Sequence, residues 1–295
     1  MAVSLPDENF TLQATGRVAR RQAISRASKW VLLGASMIGV VVLFALIVDT
    51  IVVGWSRISW SFFTSYPSRF ADQAGLRSSF IGSVWILSLT IVFVVPIAIA
   101  TAIWVEEFAP KTRLLEFVKL NLANLAGVPS IIYGVLGLAV FVRLFGWGSS
   151  ILAGSFTLFL MILPMTVIAS QEAIRQVPPS LRQGSLALGA TEWQTVWYHV
   201  LPGALPGIIT GVILALARAA GETAALIMIG AFTFIAFDNT SIWDSFTTMP
   251  IQVYNWTVRP QEAFRQNAAA GILVLMVVVL TFNTAAAALR ERFRN

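Results

Sequence analysis

Cysteine is missing from all 295 residues and histidine occurs once. The first absence excludes disulfides, thiolate metal sites and cysteine nucleophiles, and leaves the redox compartment open. The second leaves no Ser/His/Asp set and no histidine cluster at the depth of an apolar run, because His199 falls in a connection. Charge is scarce as well. Charged residues make up 12% of the chain, against about 25% in a typical soluble domain. With 57% hydrophobic residues, such a chain cannot hide its apolar surface from water, and lipid is its expected solvent. Also absent is a GxxxxGK[ST] loop, whose backbone N–H groups would cradle phosphates. Any ATP hydrolysis must therefore belong to another chain.

What is present is a succession of apolar runs, and a spanning helix needs about 20 such residues. Six segments approach that length: Trp30–Gly54, Phe80–Trp104, Leu120–Val142, Ile151–Ser170, Leu205 to about Phe237, and Asn267–Leu289. Pro96, Pro129 and Pro164 lie inside runs and are expected to kink helices rather than to bind anything. Six crossings place both termini on one face.

The net charge of +6 and pI near 10.3 would raise nucleic-acid binding in a soluble protein. Here the bases cluster between the runs, and topology explains them better. The N-terminal tail, the 105–119 and 171–205 connections and the C-terminal tail hold 13 Lys and Arg; the opposite loops hold six. The richer face is expected to be cytoplasmic. Residues 1–29 have no apolar core ahead of their basic cluster, so they read as a cytoplasmic tail rather than a signal peptide. The expected organisation is that tail, a first span with its outer connection over 30–74, a core over 75–290, and a short tail over 291–295. In the last outer stretch Trp243, Tyr254 and Trp256 suit an interfacial aromatic belt, and a docking surface for a partner is the alternative.

The connection before the fifth run has the punctuation of two short helices. Pro178 and Pro179 stop the preceding helix, Ser180 is placed to cap a new one, and Gly189 can supply a left-handed C-terminal residue. Thr191 and Gln194 have the spacing of a capping box. Such a projection is either a lever driven by a soluble motor or a plain surface loop, and spacing alone leaves both open.

Inside the fifth run lie Arg218 and Glu222. An ionised side chain at that depth costs about 2.5–3.5 kcal/mol, so it normally faces protein or water. Spacing i, i+4 predicts one helix face and contact between the two. They form either a buried structural pair or part of an anion path. A guanidinium matches oxyanion geometry with a planar fork of donors, and a carboxylate can accept a hydrogen bond from a protonated phosphate. Ser130 and Tyr133 are placed either to line such a path or to pack between helices.

Two stretches carry a resemblance. The connection resembles the EAA loop of ABC importer permeases: Gly189 and Leu201-Pro202 stand at the family's spacing, while Gln183-Gly184-Ser185 replace Glu-Ala-Ala and His199 replaces an apolar residue. Arg218-Ala-Ala-Gly-Glu-Thr223 resembles the signature of phosphate ABC importer permeases of the PstA type, as do Gly127–Gly134 and Met249–Trp256, and the likeness covers about residues 75–290. The resemblance implies an all-α integral membrane protein of six transmembrane helices with the MetI-like, type I ABC importer permease fold, in the bacterial inner membrane. It implies that Arg218, Glu222 and Thr223 line the substrate path. It also implies that Arg182, Gln183, Gly184, Leu186, Leu188, Gly189, Glu192 and Trp193 couple to an ATPase, with Arg182 and Glu192 at the rim of the contact. The implied partners are a PstC-like permease, two PstB-like ATPase subunits that carry ATP and magnesium, and a periplasmic PstS-like phosphate-binding protein. No cofactor is expected in this chain. The alternatives are another oxyanion (molybdate, sulfate, phosphonate) or a stand-alone anion channel or secondary transporter, which would give the 178–202 connection no role.

Overall fold

A computed structural model describes residues 16–231 and 234–294. Expectations for residues 1–15, for 232–233 in the fifth run and for Asn295 lie outside the described residues. The described residues form helices and no β-strand, with one antiparallel bridge between Ser150 and Ser245. Lipid supplies no hydrogen-bond partners, and a helix is the local structure that satisfies its own backbone.

The chain divides into two units, Met1–Asp49 and Thr50–Asn295. Most of the described part of the first unit is helix α1 (Arg17–Gly54), which continues into the second. In the second unit, α2 (Trp60–Thr64) precedes α3 (Arg77–Ile103), which ends in a π-helical turn, Trp104–Phe108. Then come α4 (Arg113–Ala126), α5 (Ser130–Gly137) with a π-helical extension Leu138–Leu144, and α6 (Ile151–Arg175). The short α7 (Pro179–Ala187) and α8 (Glu192–Thr195) lead through another π segment, Val196–Val200, into α9 (Leu201–Ala220). The chain finishes with α10 (Ala224–Met228), α11 (Met249–Thr257) and α12 (Ala263–Arg294). Side chains cap the starts of α4 and α6: Thr112 Oγ1 accepts from Leu115 N and Ser150 Oγ from Ala153 N, both at 3.3 Å.

Five helices among the described residues are long and apolar enough to cross a membrane, and a sixth crossing is reached by counting a bent pair as one. That pair corrects the expected third span. Instead of one helix over Leu120–Val142, α4 and the α5 segment meet at 101°. Pro129 has no N–H to continue the ladder, and the Tyr133 hydroxyl donates to Leu125 O at 2.7 Å across the corner. By contrast, α3 and α6 run uninterrupted through Pro96 and Pro164.

Helix α6 is the buried axis, flanked by α3 and α9, and Ile86, Val94, Leu158, Ile162, Ala215 and Leu226 fill the main core. Its contact with α9 depends on small residues. Gly207 and Gly211, four apart, face Ala173 and Ala169, and a Cβ on Gly211 would stand 2.4 Å from that of Ala169. At the other end of α9, Gly134 of α5 lies against α10, where an added Cβ would be 2.6 Å from Ala225 O.

The outer connections are folded rather than loose. Arg57 donates to Asn267 Oδ1 at 2.7 Å and to the carbonyls of Ala71, Asp72 and Ala74 at 2.7–3.0 Å, closing the 55–76 stretch onto α12. Trp256 is 1% exposed and packs beside Phe62 and Phe264, so it belongs to a core and not to the aromatic belt assigned to it above. One face of α11 faces inward, which the alternation of aromatic and polar residues there did not reveal. Trp243 and Tyr254 stay exposed.

Because Ala169 is backbone-proximal and cannot swing aside, Gly211→Val should overpack the α6–α9 seam by about 1–3 kcal/mol. A fall of several degrees in the melting midpoint of detergent-purified protein is expected, with no comparable shift for Gly203→Ala, whose added Cβ meets only Val177 methyls at 3.5 Å or more.

Candidate functional site

Arg218 sits in the last turn of α9 with an exposed side chain. Its guanidinium contacts the Met165 sulfur, 3.8 Å from Nη1, and no ion pair reaches it among the described residues. The helix then stops. Gly221 N bonds to Arg218 O at 3.3 Å and Glu222 N to Ala219 O at 3.1 Å, the tightened i→i−3 pattern of a final turn. Glu222 therefore lies beyond the helix, and the expected shared face and Arg218–Glu222 pairing are corrected. The carboxylate is engaged elsewhere: its Oε1 accepts from Ala225 N at 3.1 Å, holding the first turn of α10. Thr223 Oγ1 makes a long contact of 3.4 Å to Gly221 O. The cause of the break is local. Glycine is a weak helix former, and a nearby carboxylate offers the next segment an alternative partner for its free amide.

Irregular backbone at membrane depth occurs where protein buries it or water reaches it. Glu222 lines a small cleft of about 10 Å3, whose other polar side chains are Ser83 and Thr248. Ser83 Oγ accepts from Met249 N at 2.9 Å, while Thr248 Oγ1 is buried and has no partner among the described residues. Thr248 was not singled out from the sequence, since a threonine in an outer stretch carries no signal until α11 folds inward. The Tyr133 hydroxyl is committed to the Leu125 carbonyl, which gives it the packing role of the two left open.

The connection between α6 and α9 folds into the two expected short helices. Gly189 adopts φ +88°, which other residues rarely take, and Thr191 and Gln194 form the reciprocal capping box. One detail differs. Ser180 lies inside α7 and does not cap it, because Pro179 starts the helix, with a fixed φ and no N–H to satisfy. Ser185 Oγ and Thr195 Oγ1 meet at 2.9 Å and join α7 to α8.

Side chains of this hairpin divide by face. Leu188 is 90% exposed, Trp193 60% and Leu186 45%, while Gln183, Gly184 and Glu192 are exposed as well. Trp197 stacks on Trp193 at 5.8 Å, extending the apolar face. Arg182 does not sit at the rim. It turns inward, pairing with Glu107 at 2.8 Å and donating to the carbonyls of Val177 and Ile174. Glu106 pairs with Lys119 and Arg175 at 3.1 and 2.8 Å. The Glu106-Glu107 doublet was visible in the sequence, but its partners are 13 to 75 positions away and only the fold brings them together.

The comparisons agree with this arrangement. Residues 95–295 match the family described as binding-protein-dependent transport system inner membrane component. A probable ABC transporter permease protein, YqgI of Bacillus subtilis, is 34% identical over 80% of this chain and 84% of its own. The phosphate transport system permease protein PstA of Xylella fastidiosa (strain Temecula1) is 30% identical over 92% and 94%, and PstA 1 of Mycobacterium tuberculosis H37Rv is 30% identical over 76% and 71%. Among solved structures, a chain of a bacterial alginate ABC transporter aligns with TM-score 0.68 at 15% identity, over 94% of this chain and 98% of that one. One from the methionine transporter MetNI aligns with TM-score 0.59 at 21% identity, over 72% and 94%. At those identities the structures speak to the fold alone, and that fold is the MetI-like permease architecture expected above. The chain belongs to the inner-membrane permease family of binding-protein-dependent ABC importers, a multi-pass, non-enzymatic subunit whose ATP is hydrolysed on a separate chain.

Proposed function

We propose that this permease moves inorganic phosphate inward, and that Arg218, Glu222 and Thr223 line its path. The observation that carries the reading is the unpaired guanidinium of Arg218 at the last turn of a spanning helix, one step before the backbone becomes irregular. A permanent cation left without an acidic partner among the described residues favours a mobile anion as its counter-ion. Glu222 keeps one oxygen on the Ala225 amide and leaves the other to accept from an oxyanion that still carries a proton. Phosphate has such a proton near neutral pH and sulfate does not. Relatives named as phosphate permeases support this substrate over molybdate, sulfate or phosphonate, which remain the alternatives within the family.

On this reading the subunit pairs with a PstC-like permease, two PstB-like ATPases that bind ATP and magnesium, and a periplasmic PstS-like binding protein. Both termini and the α7–α8 hairpin face the cytoplasm. Leu186, Leu188, Gly189 and Trp193 dock on the ATPase, with Gln183, Gly184 and Glu192 around them. Closure of the ATPase dimer then pushes the hairpin and switches access to the path. This chain's residues bind and orient the anion, and no covalent bond changes.

Three outcomes are expected. Arg218→Ala should leave the complex assembled and lower phosphate uptake into proteoliposomes at least about thirtyfold, equivalent to about 2 kcal/mol of lost charge-assisted contact. Uptake at the parental rate would remove the path from this residue, and saturable competition by sulfate or molybdate in the parent would move the substrate to those ions. Glu222→Gln should relax discrimination against sulfate, measured by competition, while retaining phosphate uptake. Gly189→Val forces a β-branched residue to φ +88° and should uncouple ATP turnover from uptake. Unchanged uptake per ATP in that variant would refute the hairpin as the lever.

A further inference from the structure

We infer that Arg182 is the joint that carries motion of α7 into the spanning bundle, a positioning residue with no contact to the ATPase or the anion. This rests on the proposed reading of the α7–α8 hairpin as the lever. Every nitrogen of the guanidinium group is used within the chain. Nε and Nη2 donate to Glu107 Oε1 at 3.2 and 2.8 Å, Nη2 also donates to Ile174 O at 2.9 Å, and Nη1 donates to Val177 O at 2.6 Å. Glu107 belongs to the π-helical turn that ends α3, and the two carbonyls lie at and just beyond the end of α6, where the regular ladder stops and Ile174 O also accepts from Val177 N at 3.2 Å. One planar group therefore ties three elements at once.

The arrangement has the properties of a rigid link. A guanidinium fork fixes direction as well as distance, which an ammonium does not. The side chains are only 23% and 13% exposed, so removing either partner leaves an uncompensated charge in a poorly solvated place. Without this pair, α7 keeps its two chain connections and the Ser185–Thr195 bond to α8, whose Trp193 ring meets Phe108 at the end of α3 at 6.1 Å, an apolar contact that fixes no direction. Helix α7 also exposes apolar Leu181 and Leu186, both about half exposed, so it is suited to receive a push while Arg182 ties it to α3 and α6.

The test uses the complete permease–ATPase complex, with partner chains free of cysteine. This chain has no cysteine of its own, so cysteines replacing Trp104, exposed at the end of α3, and Ser180, exposed in the first turn of α7, take spin labels at two known sites. In the parent the label-to-label distance should be the same without nucleotide and with ATP bound, because the two elements move as one body. In R182Q the distance should shift or broaden by several ångströms on ATP binding. R182K, which keeps the charge but cannot span all three acceptors, should fall between. E107Q should reproduce R182Q, and the double variant should be no worse than either single one. A parental distance that changes with ATP, or an R182Q distribution equal to the parent's, overturns the joint, and E107Q answers the question if R182Q does not assemble. The readout needs ATP and no transported anion, so failure of the phosphate assignment leaves it standing. Coupled uptake by Gly189→Val together with altered R182Q distances would remove the lever reading and keep the mechanical link.

Discussion

Lipid offers no hydrogen bonds, and the broken end of α9 is where this chain meets that constraint directly. Gly221, Glu222 and Thr223 interrupt the helical ladder in the middle of an apolar run. Elsewhere in the bundle such a break would cost several unsatisfied groups. Here α10 folds back onto α5 at Gly134, α6 holds α9 close through Gly207 and Gly211, and the Glu222 carboxylate takes the Ala225 amide. The break is covered by packing on one side, and on the other Glu222 faces a small, mostly apolar cleft that also holds Ser83 and Thr248. Arg218 is the group that this covering leaves out. Its charge is therefore a cost carried by the isolated subunit, to be offset by something outside the chain.

The hairpin solves the opposite problem. It exposes apolar side chains, which on the proposed reading meet the ATPase, yet stays registered with the helices that end beside it. Capping and glycine geometry fix its internal shape, and those devices are local. Registration is long-range: Glu106 and Glu107 at the end of α3 reach Lys119, Arg175 and Arg182 on three other elements. Surface ion pairs are usually worth little. A connected set with acidic members 10% and 13% exposed differs, because each group limits where the others can go.

Legibility in the sequence followed the range of the interaction. The apolar runs, Gly189 with positive φ and the Thr191–Gln194 box were readable because their causes lie within a few residues. The proline rule was readable in kind but not in degree: Pro129 turned a span through a corner, whereas Pro96 and Pro164 did not interrupt theirs. The inward folding of α11, the burial of Trp256 and the inward turn of Arg182 were not readable, since each depends on a partner distant in sequence. The i, i+4 argument for Arg218 and Glu222 failed for a sharper reason. It presupposed a helix through Gly221, and periodicity cannot report a break that is one residue wide.

That failure changes the physical argument at the proposed path. Had the two charges shared a helix face, each would have neutralised the other and the site would have held little net attraction for an anion. With Glu222 turned to the Ala225 amide, Arg218 keeps its full charge, and the carboxylate stands beyond it as a separate acceptor. An oxyanion passing this point meets a donor fork and an acceptor in sequence rather than a closed pair. A fully deprotonated ion gains from the first and is repelled by the second, while an ion that retains a proton gains from both. On the proposed reading, breaking the helix between the two residues is thus what would let one pair of charges attract an anion and also select its protonation state.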